Sequence, residues 1–219
     1  MPRKWGAPHI DFTDSYVLPR TIRMPECSFL ETLNARRTAV GGPLDLDDLS
    51  SLLWHSMLLR ERKYDGRFGI PWESRSAPSG GGLHPIEVLC LSLGERERDG
   101  LYRGKDHALL KMHGGQRARA LNTASVAELT GATAGTTLQF VADWSKLTAC
   151  YENAESLLWR DSGALTACIC LVAASLKLTA APLGRIGTDI LRAAGIREPF
   201  VGAGAVHVGK LNACIGSSC

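Results

Sequence analysis

The stretch Ser76-Ala77-Pro78-Ser79-Gly80-Gly81-Gly82-Leu83-His84-Pro85 stands between a charged segment and the apolar run Ile86–Leu93. Three consecutive glycines let the backbone come close to a flat ligand, and their N–H groups can bind an anion or the polar edge of a ring. A plain turn before a strand explains the same residues equally well. The segment is therefore either a ligand cradle or a turn, and only the rest of the chain can separate the two.

Upstream of this stretch the pattern predicts two helices and a loop. Ser28 followed by Glu31 is typical of a capping box, and the helix it begins ends near Arg36-Arg37. Its apolar side consists of Phe29, Leu30 and Leu33. Leucines at helical spacing predict a second helix over residues 45–59, and the charged residues 60–77 are predicted as loop. Residues 1–27 are predicted as an extended arm before a single domain, residues 28–219.

Downstream, strands and helices follow in irregular order. A long apolar helix is predicted over residues 151–178, ended by Pro182 and Gly184. The other predicted elements are strand 86–93, hairpin 100–104 with 107–112, helix 116–129 with a break at Asn122, strand 136–143, helix 188–194 and strand 203–209. This order indicates an α+β fold and not the regular alternation of a doubly wound sheet.

Composition and charge exclude several classes of protein. The chain has 219 residues, 45% hydrophobic and 21% charged, which is typical of a globular domain. A net charge of +3 is too small to indicate nucleic-acid binding. The N-terminal residues lack the apolar core of a secretion signal, and no run of about 18 apolar residues indicates a membrane span. Seven cysteines without a CxxC pair favour reduced thiols in the cytoplasm.

Familiar catalytic motifs are missing from the sequence. There is no G-x-x-x-x-G-K-[ST] phosphate loop, and Gly80-x-Gly82 lacks the third glycine of the dinucleotide fingerprint. The six histidines show no metal-site spacing, so no metal is expected. A second candidate ligand site is Arg36-Arg37-Thr38, where two guanidinium groups and a hydroxyl suit a phosphate. Cations placed favourably at a helix C-terminus are the competing explanation.

Taken together, these segments resemble the nitroreductase superfamily, and most closely its SagB-type dehydrogenase branch. The most specific part is Pro78-Ser79-Gly80 with the His84-Pro85 that follows it. The resemblance extends in order over roughly residues 28–210, through segments 29–38, 48–54, 75–87, 157–165 and 180–184.

The resemblance implies an α+β fold with a central, mostly antiparallel sheet flanked by helices. It also implies a homodimer that holds FMN at its interface. The residues that would hold FMN by position are Arg36, Arg37 and Thr38 at the phosphate and ribityl chain, Pro78, Ser79, Gly80, Gly81 and Leu83 at the ring, Pro182, Leu183 and Gly184 near N5 and O4, and Lys210 as a further phosphate ligand.

One position departs from the pattern of the SagB-type branch. Azoline dehydrogenases of that branch carry a Lys-Tyr pair before the central helix, where this chain has Cys150-Tyr151. Tyr151 is kept, whereas Cys150 could act as a base only with a lowered pKa and otherwise serves packing. His84 could donate to flavin or substrate, or hold a backbone carbonyl. Tyr151, Cys150 and His84 are the candidate catalytic residues.

The function implied by the resemblance is FMN-dependent dehydrogenation of a peptide-derived or other biosynthetic intermediate. Hydride would pass to flavin N5, with reoxidation by oxygen, and a biosynthetic partner enzyme is conceivable. The alternatives are an NAD(P)H-dependent reductase of nitro, quinone or enone compounds, and a flavin-free protein with a binding or non-redox role.

Overall fold

The computed structural model describes residues 5–94 and 99–211. The described strands are β1 Asp14–Val17, β2 Glu61–Lys63, β3 Trp72–Ser74, β4 Ile86–Leu93, β5 Gly100–Arg103, β6 Ala108–Lys111, β7 Gly135–Asp143, β8 Leu178–Leu183 and β9 Phe200–Lys210. The described α-helices are α1 Phe29–Ala35, α2 Leu46–Met57, α3 Gly115–Thr130, α4 Trp144–Thr148, α5 Ala154–Ser175 and α6 Thr188–Ala194.

A seven-stranded sheet of order β1-β6-β5-β4-β7-β9-β8 forms the centre of the fold. All six neighbouring pairs run antiparallel. Strands β2 and β3 form a separate antiparallel hairpin. The predicted α+β class with a central antiparallel sheet is therefore confirmed.

Helices cover both faces of the sheet, and the central strand shows why. Val88 and Cys90 of β4 belong to the core formed with α2 and α5, whereas Leu89 and Leu91 belong to the core formed with α3 and α6. Successive side chains of a strand point to opposite faces, so a strand buried on both faces is apolar throughout. Of the described helices, only α5 is long and apolar enough to cross a membrane, and its apolar residues pack in the protein core.

Several sequence predictions are confirmed. Ser28 and Glu31 form the capping box at the start of α1, and the side chain of Asp45 caps α2. Strand β4 and helix α6 have the predicted bounds. The hairpin of β5 and β6 is also present.

The prediction of a plain loop over residues 60–77 was wrong. Strands β2 and β3 are only three residues long, and the ion pair between Arg62 and Glu73 joins them. Strands this short and this charged show no apolar alternation, so the pattern could not distinguish them from a loop.

The predicted long helix over residues 151–178 was too long at both ends. Helix α5 begins at Ala154 and ends at Ser175, and a separate short helix, α4, precedes it. Pro182 lies inside β8, where it pairs with Val206, and does not end a helix. Strand β8 is at the edge of the sheet, where proline is tolerated because its missing N–H would face outward.

The arm predicted over residues 1–27 contains β1, which pairs with β6 in the central sheet. The break predicted near Asn122 was wrong. Helix α3 is continuous through Asn122. The Asn122 side chain is fully buried and accepts a hydrogen bond from Arg185, which removes the reason to expect a break there.

Candidate functional site

The glycine-rich segment forms one tight turn that is held by α5. The Ser79 hydroxyl donates to Asp161 Oδ2 at 2.6 Å, and the Gly80 N–H donates to Asp161 Oδ1 at 3.1 Å. The His84 N–H donates in turn to Ser79 Oγ at 2.9 Å. A single carboxylate on the central helix therefore fixes the conformation of the loop.

Glycine is required at two positions of this turn. Gly81 and Gly82 both have φ of +65°, a left-handed conformation that other residues adopt at a cost. A side chain at Gly81 would begin 2.6 Å from the Tyr151 hydroxyl, and one at Gly82 would collide with the indole of Trp72. The side chains of Tyr151 and Trp72 therefore lie directly against the turn, and a catalytic role for Tyr151 stays a prediction.

The cavity on the inner side of the glycine-rich loop, facing the protein core, is small. A cavity of about 20 Å³ is lined by Ser79, His84, Arg75 and Asp161 among others. This volume holds about one water molecule. A ligand with a ring system therefore has to approach the loop from its outer side.

A buried network of charges supports the loop, and sequence reasoning missed it. Arg75, whose side chain is 5% exposed, donates to Glu73 at 2.7 Å and to Glu87 at 2.9 Å. Burial opposes ionisation of Glu73, but the charges of Arg75 and Lys146 outweigh it and lower its pKa. The only signal in the sequence was an acidic and a basic residue two positions apart, Glu73 in β3 and Arg75 just after it, and a solvated loop shows the same pattern.

His84 lies at the edge of this network. Burial, together with the charge of Arg75, lowers the pKa of His84 to about 4. Its imidazole is therefore neutral at physiological pH. Its backbone carbonyl accepts a hydrogen bond from the ammonium of Lys146 at 3.4 Å. A catalytic role for His84 stays a prediction.

Helix α4 and the turn after it place Cys150 and Tyr151 next to the loop. Their backbone N–H groups both donate to the carbonyl of Leu147. Cys150 is partly buried against the main core. Lys146, which the sequence did not single out, lies one turn earlier, and its burial lowers its pKa.

The second predicted group, Arg36-Arg37-Thr38, lies beside the edge strand β8. Thr38 bridges to Ala180, and the Ala39 N–H donates to the Ala180 carbonyl at 3.3 Å. Arg37 donates to the carbonyls of Asn34 and Arg36 at 2.6 and 2.9 Å, so it caps its own helix. Within the described part of the chain, Arg36 forms no ion pair.

The segment Pro182-Leu183-Gly184 continues along the same edge. Pro182 and Gly184 are exposed, whereas Leu183 is buried. Nothing lies within 4 Å of the point where a side chain at Gly184 would begin. From Ala180 to Gly184 the edge extends about 13 Å, at 3.3 Å per residue.

Lys210 and Leu83 have other contacts in this structure. The Lys210 ammonium forms ion pairs with Asp45 and, at 3.1 Å, with Asp48, and these hydrogen bonds raise its pKa. The side chain of Leu83 packs in the main core, while Pro78 is exposed. Phosphate binding by Lys210 and ring contact by Leu83 stay predictions.

The glycine-rich loop and Arg36 lie near different parts of α5. The Gly80 N–H donates to Asp161. Burial raises the pKa of Cys170, and Arg36 lies near enough for its charge to offset part of that rise. Nine residues separate Asp161 from Cys170, a rise of about 14 Å along the helix. In one protomer the glycine-rich loop and the arginine pair are therefore well apart.

Solved structures provide the comparison for this architecture. A protein of Ralstonia eutropha assigned as a nitroreductase superposes with a TM-score of 0.66 at 22% identity, over 97% of this chain and 98% of that one. The chain adopts the nitroreductase fold. No protein-family model and no curated protein sequence matches it.

Two other structures share the nitroreductase fold with this chain. One is a chain of the E. coli microcin synthetase McbBCD complex with truncated pro-MccB17 bound, at a TM-score of 0.62 and 16% identity, over 89% of this chain and 77% of that one. The other is the nitroreductase CinD from Lactococcus lactis in complex with 4-nitrophenol, at 0.55 and 17%, over 88% and 94%. Identities this low establish the fold alone.

Proposed function

We propose that the chain is an FMN-dependent oxidoreductase that acts as a homodimer. The observation that supports this most directly is the outer edge of β8, where Thr38 bridges to Ala180 and the unobstructed backbone of Gly184 follows. A ligand that joins a phosphate to a flat ring through a chain of several carbons can contact both. Arg36 and the Thr38 hydroxyl suit the phosphate, because a guanidinium offers paired donors to its oxygens.

The apolar surface of α1 supports the homodimer. Phe29 is 67% exposed, Leu30 68% and Leu33 43%. Of the residues in α1, only Thr32 is buried. A helix that presents its apolar side outward is typical of an interaction surface. A second copy would cover this side and bring its own glycine-rich loop toward Arg36 and β8 of the first.

The residues around the loop fit redox chemistry that a cofactor carries out. A bound flavin would supply hydride transfer, and the protein would supply orientation and hydrogen bonds. The Tyr151 hydroxyl, beside Gly81, is placed to hold a proton near a substrate at the outer side of the loop. The N–H groups of Gly80, Gly82 and His84 are already bonded within the protein, so the backbone of Gly81 and Gly184 would position the ring.

Dehydrogenation of a peptide-derived intermediate is our preferred reaction, and fold similarity to a chain of the microcin synthetase complex favours it. The missing lysine at Cys150 argues against azoline oxidation by a Lys-Tyr pair. The second candidate is an NAD(P)H-dependent reductase, which fold similarity to CinD, a nitroreductase crystallised with 4-nitrophenol, favours.

Titration of the purified protein with FMN tests the proposal. We expect quenching of flavin fluorescence with a dissociation constant in the micromolar range or below, weakened about tenfold or more in Arg36→Ala. Lys105→Ala is the control, because this exposed lysine lies in the β5–β6 turn, far from β8 in the sheet. A protein that binds no FMN would favour the flavin-free alternative.

Anaerobic addition of NADPH to the FMN complex separates the two reactions. Rapid loss of the flavin absorption would favour the reductase, and unchanged absorption would favour the dehydrogenase. The Tyr151→Phe variant should keep its FMN affinity, because only the hydroxyl is removed. It should lose substrate turnover, because that hydroxyl would hold the proton.

A further inference from the structure

A second cavity lies on the face of the sheet opposite to α5 and the glycine-rich loop. It has a volume of about 600 Å³, and Gly100 of β5, the end of β6, the first turn of α3 and the end of α6 surround it. Leu89, whose side chain belongs to the core of this face, contributes to its floor. A volume of this size is ordinary for a small-molecule site.

Most of the charged side chains that line this cavity, called the basic cavity below, are basic. Its basic side chains are Lys111, His113, Arg117, Arg119, Arg192 and Arg197, and its acidic side chain is Asp99. Arg119 lies 3.1 Å from Asp99 and is neutralised by it. In the described ranges, Arg117, Arg192 and Arg197 form no ion pair. Positive charges gathered in a cleft repel one another and attract an anion.

The start of α3 adds donors to the same cavity. Gly114 caps the helix without a side-chain hydrogen bond, and the first turn holds no acidic residue. In residues 5–94 and 99–211, the N–H groups of Gln116 and Arg117 have no hydrogen-bond acceptor. Arg117 stands where the helix dipole disfavours a cation. An anion in the cavity would reverse that effect and satisfy the N–H groups.

Glycine at position 114 is needed to build the cavity. A side chain there would collide with the carbonyl of Ala193 at the end of α6. The glycine lets α6 approach α3, and Arg192 and Arg197 thereby face the first turn of α3 across the cavity. The convergence of arginines from two helices is therefore a product of tertiary packing.

We propose that the basic cavity binds a small polyanion that carries at least two phosphate groups. The lining contains no Phe, Tyr or Trp on which a nucleobase could stack. The concave shape suits a small molecule better than a duplex or a membrane surface. The ligand class is a phosphorylated or diphosphate-bearing metabolite, and the site is separate from the proposed flavin edge at β8.

Calorimetric titration with inorganic pyrophosphate at low ionic strength tests this proposal. We expect saturable binding that weakens at least tenfold in the double variant Arg117→Ala/Arg192→Ala and falls steeply with added salt. Lys105→Ala is the matched control, because this exposed lysine lies in the β5–β6 turn and outside the cavity. FMN binding should be unchanged in the double variant.

Three results would overturn the proposal. They are absence of pyrophosphate binding to the wild-type protein, equal affinity in the double variant, and equal weakening by Lys105→Ala, which would indicate a general charge effect. Thermal unfolding of each variant, measured without pyrophosphate, identifies a loss of binding that is caused by misfolding. For a misfolded double variant, the single Arg192→Ala substitution takes its place, with a threefold or greater loss of affinity expected.

Discussion

The glycine-rich loop and the β8 edge are both candidate flavin contacts, but they differ in how far the rest of the chain covers them. At the loop, Asp161 holds the backbone, Tyr151 and Trp72 cover the glycines, and a buried charge network lies behind. At the edge, Arg36 has no ion pair in the described residues and Gly184 faces open space. The loop is covered by residues of its own chain, and the edge is open. The proposed homodimer would account for this difference, because a second copy would cover the edge.

The largest effect is expected from removing the support of the loop. Arg75→Ala removes the ion-pair partner of the partly buried Glu87 and one of the two partners of the buried Glu73, which keeps Arg62, and the cost should be about 3–5 kcal/mol of unfolding free energy. Chemical denaturation measures it. Arg160→Ala, an exposed arginine on α5, is the control and should change stability by less than about 0.5 kcal/mol. Equal effects of the two substitutions would show that the network does not support the loop.

The next effect concerns the left-handed turn itself. Gly82→Ala places a side chain against Trp72 at a φ of +65°, and about 2–4 kcal/mol should be lost. Gly163→Ala in α5 is the matched control, because nothing lies within 4 Å of the added carbon. It should stabilise the protein by about 0.5–1 kcal/mol. A neutral Gly82→Ala would mean that the turn is not held as described.

A smaller effect is expected at the open region. Leu30→Asp on α1 should leave the protomer folded, since the side chain is 68% exposed, and should weaken the dimer at least tenfold. Sedimentation velocity over a concentration series reports the change. Leu129→Asp on α3, a leucine that is 51% exposed on the other face, should leave the dimer intact. If both substitutions dissociate the dimer, or if neither does, the interface does not lie on α1.

The smallest effect is a pH dependence. His84 has a folded pKa of about 4, below its ordinary 6.5, so the unfolded chain binds more protons between these values. Stability is therefore full above pH 6.5 and falls as the pH drops toward 4. Arg75 and Lys146 oppose protonation of His84, and Glu73 favours it.

His84→Asn isolates this contribution, since asparagine tolerates the positive φ of 43° and does not titrate. Between pH 7 and 4.5 the variant should lose about 1 kcal/mol less than the wild type, after allowance for the partial exposure of His84. His107, His207 and Glu73 also have lowered pKa values, but both proteins share them. Parallel stability curves would contradict a buried, neutral imidazole.

Local rules predicted the elements whose signals lie within a few residues. The capping box at Ser28, the leucine spacing of α2 and the apolar run of β4 each determined an element directly. The pattern did not predict strand β8, because a proline such as Pro182 normally ends an element. Pro182 is acceptable in this strand only because β8 lies at the edge of the sheet. The pattern did not predict the hairpin of β2 and β3, because charged residues such as Arg62 and Glu73 are typical of a solvated loop and their ion pair is visible only in the structure.

Part of the site could be predicted in the same way. The resemblance named Gly81 and Tyr151 as site residues, and the two lie side by side, whereas their roles at a flavin stay predictions. Asp161 and Lys146 could not be predicted, because each acts on the loop across more than 60 residues of sequence. The placement of Lys210 against Asp45 and Asp48 likewise depends on the pairing of Gly42 with β9.

Native mass spectrometry of the protein with excess FMN tests the central claim most directly. If a second copy completes the β8 edge, dimers should carry two flavins and monomers should carry none. Monomers that retain one flavin each, or dimers that stay free of flavin at every concentration, would contradict it.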